Sequence, residues 1–505
     1  MAGRGLRRGQ RGAAGVVFFV VAAAAPLVGM TGALPVAILL GNGAAAPGAY
    51  VAVGLVLLLF SVGYGAMSRH VSNAGTFFAY VGRGLGAGPG VGAPFVSLPA
   101  YLAVQLAVYG FFGAVASQQL GELLGVQPPW WGGRWRPRPS CWCCRCCAST
   151  SAPRSWACSW SWSSRRCWRW RPRSCCRAGG PQGLQPAASF SPAQVFAGGF
   201  AGSAGIALSF AFASFIGFEA TAIYAEETRD PARSECAAGH LAAVAVITMV
   251  FAVTSWAVVS GLGAVQAPDR VAELTAVGGV PLSDLAAVLY AVAEQFVGAW
   301  LATAMSWLVL SSLFAGLLAR QNASARYVFS MSRAGVLPCA GARVNRLGAP
   351  APASALVTGV TAAVVAVFAA RSLDPVVDLF LWCSGLAVIA IVLVEVLVAV
   401  AVPAFFRSRP DRPCPLSSVV APVLAAAGLL AGLYLLTSRF GLLTGTVATG
   451  VDPAAQAWGL SSTGWLLVLL PFAVVVCGTA VGLSRRRTGT RAALAACSPD
   501  PPPVC

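Results

Sequence analysis

Lysine is missing from this 505-residue chain: all 34 of its basic residues are arginine. Arginine has GC-rich codons and lysine does not, so the absence points to a GC-rich source genome and says nothing of mechanism. Charge of either sign is scarce, at 10% of residues against 57% hydrophobic, which excludes ordinary soluble and disordered chains alike. No polar stretch is long enough for a separate soluble domain, so the core is a bundle embedded in lipid. There are two histidines, His70 and His240, and no nucleophile–base pair to support an enzyme. A Walker-type phosphate loop is also missing, which disfavours a primary pump.

The net charge of +18 invites a nucleic-acid reading, but it is unevenly placed. Eleven Arg lie between Trp131 and Arg177, a block with no acid; the other 23 face 16 acids. That remainder suits a membrane protein with Arg-rich cytoplasmic loops, and no nucleic-acid partner is expected. The same block holds nine of the 16 Cys and eight of the 15 Trp, with no Val, Ile, Met or Phe. Cys143-Cys144-Arg145-Cys146-Cys147 is thiol-dense, yet zinc ligands come as spaced Cys pairs with a turn between them. Nothing else suggests a secreted disulfide module. A third reading explains the mixture better. GC-rich codons for Ala, Val and Leu, read one base late, become codons for Arg, Cys and Trp. A slipped frame through two membrane helices, recovering by Gly179-Gly180-Pro181, therefore ranks ahead of any function for these cysteines.

Apolar runs of membrane-spanning length fall near 13–40, 49–67, 94–120, 194–225, 238–263, 284–319, 350–370, 376–406, 416–438 and 463–484. The anomalous block has room for two more, which gives a plan of twelve helices. Met1 to Ala25 resembles a signal peptide in its cluster of Arg4, Arg7, Arg8 and Arg11, but the apolar character runs past Pro26 to Leu40. A retained first helix is the better reading. With the N-terminus inside, twenty Arg fall in cytoplasmic segments, Arg320 and Arg326 among them, and only Arg270, Arg371 and Arg439 outside. Both termini, including a tail over 485–505, are then cytoplasmic, provided the block crosses an even number of times.

The segment Phe196 to Arg233 is the most informative in the chain. A membrane-length run is interrupted at Gly217 and Glu219 and ends in Glu226-Glu227-Thr228-Arg229-Asp230-Pro231. A carboxylate at that depth is costly, so it faces a protein interior or a watery cavity. An opened helix beside it is tolerable only where the freed backbone lines a cavity. Helix 1 carries its own interruption, Pro26-Leu-Val-Gly-Met-Thr-Gly-Ala-Leu-Pro35. Breaks at matching places in two halves point to a transporter with its site between them, although Gly and Pro are common in any membrane helix. Glu395 in helix 10 is a second buried acid, and Glu294 lies near the start of helix 8. Each also reads as a group that hydrogen-bonds between helices. His70 and His240 fall at cytoplasmic helix ends, in solvated or capping roles.

Gly217-Phe218-Glu219 with the acidic motif that follows resembles the sixth helix of the amino acid–polyamine–organocation permeases. Two loops extend the resemblance. Met67-Ser-Arg-His-Val-Ser-Asn-Ala-Gly-Thr-Phe-Phe-Ala-Tyr resembles that family's loop after helix 2, with Ser72 where Pro is common. Gln321-Asn322-Ala-Ser-Ala-Arg326 and Ser332-Arg333-Ala-Gly-Val-Leu-Pro338 resemble its signature after helix 8, with Ala334 in place of the usual Asp. The resemblance covers nearly all of the chain outside 131–177.

It implies an all-α polytopic membrane protein: a LeuT-like 5+5 inverted repeat with two additional C-terminal helices, helices 1 and 6 being broken. The first repeat and helix 6 occupy 13–225, the second repeat 194–406 and helices 11 and 12 416–484, in one transporter domain. The activity implied is secondary active transport of amino acids or related amines by alternating access across a bacterial plasma membrane, with no cofactor. Gly29, Met30, Thr31 and Gly32 then form the opened segment that offers backbone groups to the substrate. Phe215 and Ile216 line the site, Gly217 is the opening in helix 6, and Phe215 is also readable as plain packing. Glu219 either holds the opened helices together or carries a proton. The coupling ion, proton or sodium, draws in this family on helix 5, inside the anomalous block, and stays open. The alternative is a non-transporting or inactive product of a disrupted permease gene, or a sensor that retains the fold.

Overall fold

The computed structural model describes residues 24–71, 76–125, 128–131, 184–219, 235–276, 284–333, 336–345, 348–407, 409–410 and 412–487, with positions 17, 20 and 21 ahead of them. The slipped-frame reading of 131–177 and the motif Glu226 to Pro231 therefore fall almost wholly outside the described residues. Among the described residues the only pairing between extended segments is one bridge, Val447 with Leu460.

Helix 1 contributes α1 (Pro26–Leu39), and helix 2 is α2 (Ala46–Ser68). A short α3 (Thr76–Leu85) leads into helix 3, α4 (Ala87–Leu124). Beyond the anomalous block, α5 (Pro186–Phe190) and α6 (Pro192–Val195) precede the first half of helix 6, α7 (Ser203–Ser214). Helix 7 is α8 (Glu235–Leu262). Then α9 (Ala267–Thr275) and α10 (Ala287–Phe296) connect it to helix 8, α11 (Ala299–Arg333). Helices 9 to 11 are α12 (Ala351–Ala370), α13 (Trp382–Arg407) and α14 (Ala421–Ser438). The short α15 (Phe440–Thr444) separates them from helix 12, α16 (Ser462–Arg487). Among the described residues eight helices are long and apolar enough to cross a membrane, and α1 and α7 are shorter apolar pieces. This is a polytopic, all-helical membrane architecture.

Local chemistry sets the boundaries. Asp374 caps the wide turn into α13, its Oδ1 accepting the Val376 and Val377 N–H groups at 2.7 Å, and Pro375 follows where an N–H is dispensable. Gly125 ends α4 in a left-handed conformation, φ 66°. Gly298, at φ 120°, splits the apolar run 284–319 in two. That run was expected to be a single helix; it is α10 followed by α11, and α11 continues to Arg333. Two expectations change with it. Glu294 is exposed on α10 and not a buried group of helix 8. Arg320 and Arg326, assigned to a cytoplasmic loop, are buried within α11. Hydropathy ended the span early because it scores the charge and not the face on which the charge sits.

Small residues let the long helices touch. A methyl on Gly54 of α2 would overlap Thr248 of α8, and one on Gly92 of α4 would overlap Thr479 of α16. In lipid, where apolar side chains gain little by leaving their surroundings, such close backbone packing holds helices together. His240 is also corrected: it is 1% exposed and not solvated, packed against Tyr64 (ring centroids 4.6 Å) and Phe218 (5.7 Å). His70 keeps its capping position, with Nδ1 3.2 Å from the Ala66 carbonyl.

Candidate functional site

Helix 1 is interrupted at Ala25, which adopts φ 43°, ψ 61° between helical Ala24 and Pro26. Pro26 is the cause. A proline ring disfavours helical backbone at the residue before it, while it suits the first turn of a new helix. The expectation that Gly29 to Gly32 form the opened segment is therefore corrected: all four lie inside α1, about one turn past the break. The Ala25 carbonyl accepts the N–H groups of Val28 (2.9 Å) and Gly29 (3.4 Å) and so closes that first turn.

Helix 6 opens where the sequence places it. α7 stops at Ser214, and Gly217 takes φ +113°, a conformation that side-chain-bearing residues rarely adopt. Glu219 turns back, and its Oε2 accepts the Gly217 N–H at 2.7 Å. The carboxylate thus satisfies a backbone group that the break releases, in a place where water is not at hand to do so. Ser214 ends α7 with its hydroxyl on the Phe210 carbonyl (2.8 Å) and 3.3 Å from the Tyr50 hydroxyl of α2.

The two breaks face one another. Gly29 packs so closely on Ser214 that a methyl there would stand 3.3 Å from the Ser214 Cβ. Beside this contact lies a cavity of about 400 Å³. Ala24, Ala25, Val28, Gly29 and Gly32 line it from helix 1, and Ala213, Ser214 and Ile216 from helix 6. Helix 3 adds Val104, Ala107 and Val108; helix 8 adds Leu313, Gly316 and Arg320; helix 10 adds Ser384, Gly385 and Val388. Gly441, Leu442, Leu443, Val447 and Pro453 line it from the segment after helix 11. Arg439 ties this segment to the chain ahead of helix 6. It is 2% exposed and donates to the carbonyls of Pro453 (3.3 Å), Ala454 (2.8 Å) and Ala201.

A largely apolar cavity between two broken helices of a polytopic bundle is a place for a small molecule in transit. Residues 177–458 match the family model described as amino acid permease, more than half of the chain. The chain belongs to the amino acid permease family. The match begins at the last residue of the Cys–Trp–Arg block. A comparison with curated proteins finds no match. The protein is accordingly a multi-pass membrane transporter with a small-molecule substrate.

The permease distributes the eight residues singled out from sequence unevenly. Gly29, Gly32 and Ile216 line the cavity. Gly32 faces open space, with nothing within 4 Å of a methyl built on it. Met30 and Thr31 are buried on other faces of α1, the Thr31 hydroxyl bonding back to the Leu27 carbonyl at 3.0 Å. Phe215, Gly217 and Glu219 stand behind the wall. Phe215 meets Phe251 edge-on at 5.0 Å, and Phe251 in turn packs on Tyr50 at 5.4 Å.

Sequence reasoning missed Arg320, Ser214 and Ser384. Arg320 is 8% exposed and interacts electrostatically with Glu219 and Tyr101. A helical signal was present: Leu313, Gly316 and Arg320 share one face at spacings of three and four residues.

Proposed function

We propose that this permease carries neutral amino acids with apolar side chains, by secondary active transport with alternating access. The observation that supports this most is the cavity that meets both helix breaks. Its volume of about 400 Å³ falls in the range of small-molecule sites, and its apolar lining is aliphatic apart from Phe210 and Phe380. Ser214, Ser384 and the N-terminal end of α1 give a few polar points for the common carboxylate and amine, the helix end favouring the carboxylate. Arg320 is the one charged side chain among the described lining residues, and a cation there disfavours amines with a second positive charge. The substrate then sits between the breaks of helices 1 and 6, touching Gly29, Gly32 and Ile216, while Glu219 holds the helix 6 break from behind. The cell setting that goes with this reading is a bacterial plasma membrane with both termini inside.

Uptake of labelled leucine into proteoliposomes holding the full chain tests the reading. Valine and phenylalanine are expected to compete, and arginine and putrescine are not; equal competition by putrescine would overturn the substrate class. The rival reading, a non-transporting product, rests on the eleven Arg between Trp131 and Arg177. Uptake by a frame-corrected chain but not by the present one would decide for it.

A further inference from the structure

Beside the cavity lie two buried carboxylates, Glu219 and Glu395, and only Glu219 has Arg320 as an electrostatic partner. Glu219 has two attachments, the Gly217 N–H at 2.7 Å and the electrostatic partner Arg320. Glu395, on α13, has no cation as an electrostatic partner among the described residues. It is 1% exposed, and its Oε1 has no hydrogen-bond partner among the described residues. Its electrostatic neighbours are Glu219 across the helix 6 break and Tyr101 of α4.

Among the described residues no cation on the other helices packed against α13 is an electrostatic partner of Glu395; the His70 ring, just after α2, meets α13 at Phe405 and Phe406. From α2 and α3 the buried titratable groups are the phenols of Tyr50, Tyr64 and Tyr80; Tyr50 is engaged with Ser214. Arg83 of α3 donates to the His70 carbonyl. Asp378, before α13, binds the Asp374 N–H, while Tyr434 of α14 and Cys477 of α16 are exposed. Farther along α4, Tyr109 is half-buried. A carboxylate left charged in such surroundings is expensive at membrane depth, and a neighbouring carboxylate of the same sign adds to the cost. A single unpartnered oxygen also suits a proton better than a metal cation, which needs several oxygens at once. Among the described residues no group of three His, Cys, Asp or Glu side chains is placed to hold a metal ion.

We propose that Glu395 holds a coupling proton of this permease, bound on its carboxylate beside the Glu219–Arg320 pair and apart from the helix 5 site that the family resemblance implies. The proposal rests on the transporter reading for its role in the cycle, but the proton itself can be read without transport. When the helix 6 break rearranges, Arg320 and Glu219 shift relative to Glu395, and the proton is bound or released with that change. Glu219, already bound twice, keeps its structural place throughout.

Two measurements on the full chain test this. Dicyclohexylcarbodiimide adds to protonated carboxyl groups in apolar surroundings, and peptide mass spectrometry locates the adduct. The adduct is expected on Glu395 at neutral pH, to fall as pH rises, and to vanish in Glu395→Gln. An adduct on Glu219 instead, or none on either, overturns the assignment. In proteoliposomes, leucine accumulation driven by an inward proton gradient is expected to fall about tenfold or more in Glu395→Gln, while leucine–leucine exchange at equal pH persists. Wild-type-like accumulation by the variant, or accumulation driven by a sodium gradient alone, also overturns it. Labelled Glu395 in a protein that moves no amino acid leaves the proton site standing and removes the transporter reading.

Discussion

At the scale of single residues, Gly217 and Glu219 do one job together. The positive φ of Gly217 opens helix 6, and the Glu219 carboxylate binds the N–H that the opening frees. Gly217→Ala puts a side chain in a conformation that costs about 1–3 kcal/mol, which a thermal melt in detergent reads as a lowered midpoint. Glu219→Gln keeps an oxygen for the same bond but removes the charge that faces Arg320. It is expected to lower stability by about 1–3 kcal/mol, the loss of a charged acceptor, while leaving the pH dependence of uptake where it was. A shift of the pH profile in Glu219→Gln would move the proton to this residue. Gly32 gives the complementary test, since a side chain there meets open space. Gly32→Leu projects from an open Cβ position into the cavity, so the KM for leucine is expected to rise about tenfold or more while the melting midpoint holds.

At the scale of elements, stability comes from helices brought close by small residues and from one buried cation that ties loops together. Gly54→Leu places atoms where Thr248 stands and forces α2 and α8 apart. Overpacking of this kind costs about 1–3 kcal/mol, and more where the obstacle is a neighbouring helix, so the yield of monodisperse protein in detergent should drop. Arg439 joins the segment after α14 and α15 to the chain ahead of α7 through three carbonyls. Each charged hydrogen bond is worth about 1.5–3 kcal/mol, so Arg439→Leu is expected to loosen the segment after α14 that lines the cavity. Limited proteolysis between Thr444 and Ser461 reads this as faster cleavage than in wild type. Unchanged cleavage would mean that this segment is held by apolar packing alone.

At the scale of the whole molecule, the arginine distribution predicts orientation. Removing buried Arg320 and Arg326 from the cytoplasmic tally leaves eighteen Arg inside against three outside, still a strong bias. Reporter fusions at both ends should therefore report cytoplasm. A periplasmic signal from either end would mean that the segment between helix 3 and helix 6 crosses an odd number of times.

Sequence alone determined the membrane class, the apolar spans and the opening in helix 6, because hydropathy, length and a Gly beside an acid are local properties. It misplaced the opening in helix 1, choosing the glycines of Gly29 to Gly32 over Ala25, although the effect of Pro26 on the residue before it is local too. It read Arg320 as a loop cation because a charge ends a hydropathy window whichever way its side chain points. Only the packing of helices 3, 6, 8 and 10 against one another decided that Arg320 faces the cavity and Glu219, and that Glu395 faces Glu219. Those meetings join residues more than seventy positions apart in the chain, and contacts of that span exist only once the bundle has closed.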